Sequence, residues 1–326
     1  MRLLLLTLLA AATTSNALVL HPARPHRPVF SPAAKPAAAT ALHGLRGGTV
    51  RASAVSGALA GAWAIPAATG IAAVAGSLAY IRQAYIFSLS YGLAMLGIGG
   101  AVLSCAPLSP LLLAHASLVT AYGARLFAFL FWRQKFQPSY DAEGRLAPLE
   151  KTPRPQRTPI ILSTAIFYGL MAAPLLFHYQ SAPFAVGVAS AVSAAGSALA
   201  AVGLLYEAVA DQQKSIFKAA LRADGKPDAL FTGGLYSTSR HPNYLGEMAF
   251  WLGSFVAGAP ALVAPGVPLL SRALRLVASG LGLAGIFFIM LSATKRLEGK
   301  QAQKWRPSAA FDKYYLSTNA LLPKLI

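Results

Sequence analysis

The chain has 326 residues, 56% hydrophobic and 12% charged, and 28 Lys and Arg against 10 Asp and Glu give a net charge of +18. Soluble domains carry about 25% charged residues, so this composition excludes an ordinary soluble domain and fits a multi-span helical membrane protein. The basic residues lie in a leader, in loops and in a tail rather than on one soluble face, which argues against nucleic acid as a partner; the single cysteine, Cys105, excludes an intrachain disulfide framework and a cysteine-based zinc site.

In chain order, residues 1–17 read as a secretory signal: Arg2, an apolar core from Leu3 to Ala12, and a small-residue end near Ala17. Residues 18–52 are rich in Ala, Pro, Arg and His and contain no acid; the first acid in the chain is Asp141. A signal followed by a basic, acid-free stretch resembles the two-part leader of proteins sent to plastids bounded by extra membranes. A plain secretory signal with a polar tail, leading to the endoplasmic reticulum, is the alternative. His21, His26 and His43 stand among prolines here, and no metal site is expected.

The remainder, 53–326, is expected to be one all-α membrane domain, a transmembrane bundle of about seven helices. Seven apolar segments run at about 54–79, 83–105, 109–132, 158–180, 183–210, 243–259 and 268–292. They are rich in Gly, Ala and Ser, as close helix packing in lipid requires. Pro66 and Pro174 fall inside two of them. The fifth segment is expected to continue to about residue 222 as a basic amphipathic helix. Polar loops follow at 133–157 and 211–240. With seven spans, most Lys and Arg fall on one side of the membrane, and beyond the leader only Arg272 and Arg275 fall on the other. The long loops and the tail should therefore face the cytosol or plastid stroma.

The ten acids are the sharpest clue. Glu207, Asp211, Glu247 and Glu298 lie at or near span ends, all towards the basic side. Intramembrane charges are costly and normally pair or line a watered pocket. Glu207 and Asp211 are spaced i, i+4, and so are Asn243 and Glu247, so each pair shares a helical face. Arg240, His241 and Tyr244 flank the start of the sixth segment, and Lys295 and Arg296 precede Glu298. Each has a bland reading: Arg240 and Lys295 can snorkel to headgroups, and Asp211 can pair with Lys214 or Lys218. Together they point to a polar ligand site. Guanidinium groups and a helix N-terminus suit phosphates, and carboxylates suit ribose hydroxyls or an amide donor.

Three stretches, "LYEAVADQQKSIFK" (205–218), "FTGGLYSTSRHPNYLGEMAFWLG" (231–253) and the tail "KRLEGKQ…WRPSAAFDKYYLSTNALLP", resemble the membrane family related to steroid 5-alpha reductases. The resemblance covers roughly 83–326 and is most specific over 205–253. It implies seven transmembrane helices and NADPH-dependent reduction of a carbon–carbon double bond conjugated to a carbonyl in a lipid substrate. It implies cofactor contacts at Asp211, Arg240, His241, Asn243, Tyr244 and Glu247, with Glu207 at a position that is Asn in many steroid reductases. The tail residues Lys295, Arg296 and Glu298 follow by a looser match. "AYGARLFAFLFWR" (121–133) is similar to the reductases' third helix and makes Tyr122 the donor to the substrate carbonyl, with Arg125 beside it. The acid that pairs with that tyrosine from an earlier helix is missing here, because no acid precedes Asp141.

Two other functions share parts of this pattern. Isoprenylcysteine carboxyl and phospholipid methyltransferases also carry an RHP-x-Y-x-G stretch and use S-adenosylmethionine. A non-enzymatic lipid-binding protein could keep the fold. The "VADQQK" helix end, Asn243 between Pro and Tyr, and Glu247 directly after Gly246 favour the reductase.

Overall fold

The computed structural model describes residues 55–105, 108–136, 152–181, 187–306 and 308–323, all of which fall in one compact unit. The expected signal and leader, 1–52, lie outside the described residues, as does the middle of the 133–157 loop. The described part is all-α: α1 (Ala64–Gly76), α2 (Leu89–Leu103), α3 (Pro110–Phe136), α4 (Thr158–Met171), α5 (Ala173–Ser181), α6 (Val188–Ala223), α7 (Pro242–Leu262), α8 (Leu269–Trp305) and α9 (Ala309–Ser317). Among these residues the only strand-like pairing is an isolated bridge between Ser239 and Asn319.

Every expected apolar segment contains a helix, but their lengths differ from expectation. By length and hydropathy α3, α6, α7 and α8 can cross a membrane, and α4 with α5 passes the same test only as a pair bent by 45°, the form of a broken span or of a re-entrant loop. The 15 residues of α2 rise only about 22 Å, short of a hydrocarbon core of about 30 Å. The first two segments are shortened by 3₁₀ turns at Ser77–Tyr80 and Gln83–Phe87. Pro66 and Pro174 sit in the first turns of α1 and α5, not in helix interiors, where a missing N–H costs nothing. Pro174 also cannot donate to the Leu170 carbonyl, which accounts for the bend between α4 and α5. The continuation of the fifth segment is as expected, since α6 runs unbroken to Ala223.

The closest pairing is between α6 and α7. Gly196 and Gly203 on α6, and Gly246 and Gly253 on α7, recur every seven residues. A Cβ added at any of them would run into the backbone of the facing helix. Small residues let two helices approach until their backbones touch. The pair carries Glu207 and Glu247 on facing turns, because Gly246 packs directly on Glu207. Towards the other end, His115 Nδ1 lies 3.2 Å from His178 Nδ1, and His115 Nε2 2.8 Å from Ser254 Oγ, tying α3, α5 and α7 together. Arg275 closes that end on the Ala261 carbonyl and Ser181.

Candidate functional site

A cavity of about 520 Å³ opens between α3, α4, α6, α7 and α8 and the turn before α2. Its lining includes the apolar residues Leu126, Phe129, Phe167, Ile286 and Met290 and the polar residues Tyr91, Glu207, Asp211, Asn243, Tyr244 and Glu247. The polar residues come from three helices. Glu207 and Asp211 are one turn apart on α6, Asn243 and Glu247 one turn apart on α7, and Tyr91 projects from the first turn of α2. Both i, i+4 pairs read from the sequence therefore face one space.

Arg125 on α3 clamps the α6 pair. Its Nη1 donates to Glu207 Oε1 at 2.6 Å and its Nη2 to Asp211 Oδ2 at 2.5 Å, with a longer bond to the Glu207 carbonyl. One guanidinium spans two carboxylates, which a lysine could not match in geometry. Glu207 is 3% exposed, and its second oxygen, Oε2, is buried with no hydrogen-bond partner among the described residues.

Glu247 is also buried, and its partner is a residue the sequence reading missed. The Tyr91 hydroxyl donates to Glu247 Oε1 at 3.0 Å, while the Tyr91 oxygen itself accepts from Trp251 Nε1 at 2.7 Å and lies 3.0 Å from the Tyr122 hydroxyl. Since the Tyr91 proton goes to Glu247, Tyr122 is the donor in the tyrosine pair. Tyr91 stacks on Tyr168, ring centroids 5.1 Å apart, and Tyr168 is held by its bond to the Ile86 carbonyl. Tyr122 is fully buried behind Tyr91 against Phe250 and does not line the cavity. A tyrosine–acid pair is thus present, but its acid comes from the later helix α7. The available signal was a tyrosine in an apolar helix, whose hydroxyl needs a partner when buried.

Arg240, His241 and Glu298 form a separate cluster. Arg240 Nη2 donates to Glu298 Oε2 at 2.6 Å and Nε to Oε1 at 3.1 Å; Nη1 donates to the carbonyls of Tyr315 and Thr318. His241 Nε2 lies 2.6 Å from Glu298 Oε1, and the backbone N–H groups of Arg240 and His241 donate to the carbonyls of Asn319 and Ala320. These residues fasten the loop before α7 to α8 and the tail. Lys295 and Arg296 are exposed on α8 and do not line the cavity. A basic residue that does is Arg133, from the last turn of α3.

A family model described as "Protein of unknown function (DUF1295)" matches residues 88–318, which takes in α2 through α9. The chain belongs to this family. No curated protein and no solved structure matches it. The DUF1295 region contains every one of these polar lining residues, including Tyr91 near its start, and both members of the Arg240–Glu298 pair.

Proposed function

We propose that this DUF1295 protein is an integral membrane oxidoreductase that uses NADPH to reduce a carbon–carbon double bond conjugated to a carbonyl in a lipid. The observation that carries the reading is the cavity itself, lined both by apolar side chains and by Glu207, Asp211, Asn243 and a Tyr91 hydrogen-bonded to Glu247. A lipid needs the apolar side chains, and a reaction that builds charge on one oxygen needs the polar ones. The resemblance of residues 205–253 to the steroid 5-alpha reductases supplies the reaction class.

The residues present fit the cofactor by their chemistry. Carboxylates of Glu207 and Asp211 accept from hydroxyl or amide donors, Asn243 both accepts and donates, and Arg133 offers a cation to a phosphate. When bound, the cofactor would supply a hydride. The protein's own part is electrostatic. As negative charge grows on a substrate carbonyl, the Tyr91 hydroxyl turns its proton from Glu247 to that oxygen. Trp251 Nε1 and Tyr122 already donate to the Tyr91 oxygen, so they hold it in place and favour charge upon it. Tyr122, the expected donor, acts here through Tyr91. Arg125 holds Glu207 and Asp211 rather than reaching a carbonyl. The apolar lining keeps water from the reacting pair.

The methyltransferase reading keeps one observation in its favour. Carboxylates outnumber cations in the cavity wall, and Tyr91, Tyr168 and Tyr244 line it, a setting that also suits a sulfonium cation. The deciding experiment is binding of NADPH and S-adenosylmethionine to the full chain in detergent, with Asn243→Ala alongside. NADPH binding, weakened about tenfold or more in the variant, is the expected result. Binding of S-adenosylmethionine alone would replace the reductase reading, and binding of neither by folded protein would remove both.

A further inference from the structure

Helices α4 and α8 meet rung by rung. A Cβ added at Gly282 of α8 would strike the backbone of Leu170 on α4, and one added at Gly285 would strike the ring of Phe167. The residue numbers rise on α8 as they fall on α4, so the pair is antiparallel, and the next rung of this register sets Ile289 against Ser163. Both of those residues line the cavity and both are exposed, Ile289 by 43%. The cavity is therefore open between the two helices one rung beyond the glycine contact. Phe167, which lines the cavity and rests on Gly285, is the sill of that opening.

The opening faces lipid rather than water. Leu162 and Ile166 flank Ser163 on α4, Phe288 and Leu291 flank Ile289 on α8, and all four are half exposed or more. No charged residue occurs on α4, nor on α8 between Arg275 and Lys295. The stretch from Arg275 to Lys295 rises about 30 Å, as thick as a hydrocarbon core, and Ile289 lies about 9 Å short of its basic-side end. That depth is inside the leaflet on the basic side.

We propose that this gap is the mouth through which the cavity takes its ligand sideways from the bilayer, and that the ligand is a lipid with one linear acyl or isoprenoid chain. The reactive end lies among the polar residues, and the chain runs out over Phe167 between Ser163 and Ile289. A closed cavity of about 520 Å³ would limit chain length, whereas one open to lipid leaves the surplus chain in the leaflet. Moving that chain from lipid into the cavity gains no hydrophobic free energy, because lipid tails are as apolar as the lining. The mouth therefore admits by shape, and the polar residues select the head. The proposal rests on the reading that the cavity holds a lipid and is independent of the cofactor that meets it.

The test uses two photoactivatable probes, each a long-chain enal, with the diazirine at mid-chain in one and beside the enal in the other. The full chain in phospholipid nanodiscs is illuminated with each probe, and the adducts that unlabelled enal competes away are mapped by mass spectrometry. The mid-chain probe should mark the Ser163–Ile289 rung, and the head-end probe Leu126 or Phe129 inside the cavity. Ser163→Trp and, from the other helix, Ile289→Trp put a ring into the mouth at exposed positions and should lose most of the interior labelling. Leu162→Trp, one residue away on the lipid face, should keep it. Interior labelling that survives both mouth variants overturns the proposal, and so does equal loss in Leu162→Trp or a mid-chain probe that never marks the rung. In each of those cases the lipid reading stands. Absence of competed interior labelling in wild type with an intact thermal transition removes that reading and this proposal together.

Discussion

Tyr91 carries three hydrogen bonds on a single hydroxyl, one given to Glu247 and two received. Tyr122 lies behind it, out of the cavity. The two tyrosines should therefore separate kinetically. If the proposed reductase function holds, Tyr91→Phe is expected to lower kcat about a hundredfold, the cost of losing one preorganised donor, with NADPH affinity changed less than about threefold. Tyr122→Phe removes only a donor to Tyr91 and should lower kcat about tenfold or less; equal losses in both would show that Tyr122 itself reaches substrate. At this scale the sequence reveals residues whose spacing encodes a shared face. Glu207 with Asp211 and Asn243 with Glu247 were legible because i, i+4 pairs must point together. Tyr91 was not, because a lone tyrosine in an apolar helix has no periodic partner to betray it. Arg240 and His241 were legible as a motif, but their companion Glu298 lies 58 and 57 residues further on, a distance that no local spacing records.

Among the elements, the α6–α7 pair fixes how far apart the two acid-bearing faces stand. Adding a methyl group at Gly253 or Gly246 would strike the backbone of α6 and push the pair apart. Gly253→Ala and Gly246→Ala are expected to destabilise by about 1–3 kcal/mol, a fall of several degrees in the thermal transition in detergent. Gly100 and Gly280 meet nothing within 4 Å, so Ala there should be neutral or slightly stabilising. If all four substitutions behave alike, the contact does not set the spacing. Apolarity located each helix, since burial in lipid demands it, but not where helices break. The 3₁₀ turns before and after Arg82 and the bend at Pro174 depend on backbone geometry, to which a hydropathy pattern is blind.

Across the whole molecule, charge and tail contacts gather at one end. Asp228, in the loop after α6, pairs with Lys218 of α6 and with Lys304 of α8 at 2.6 Å, joining two long helices beyond the cavity. Partial burial pushes the Asp228 carboxyl up, but the hydrogen bonds and charges of Lys218 and Lys304 outweigh it and hold the group below the usual carboxylate range. A lowered folded pKa means the link is present above the unfolded value of about 3.9 and is lost as pH falls through the folded one. Asp228→Asn should speed proteolysis of the 224–233 loop at pH 7, and the difference from wild type should shrink towards pH 3. The pair is half exposed, so its effect on global stability is small and should fade in high salt. No change in cleavage at low salt would show that the two lysines do not anchor the loop.

The fastening of Arg240 and His241 to the chain's last helix also sets an order of events during synthesis. The carbonyls that receive Arg240 belong to residues 75 and 78 positions later. At about 5–20 residues per second, the loop before α7 waits roughly 4–15 s on the ribosome before its partners exist. All cavity-lining residues, the last of them Met290, are made before those partners, while the loop that starts α7 is still untied. A premature stop after Met290 or even after Trp305 would therefore leave every wall of the cavity encoded and still deprive the Asn243 turn of its anchor.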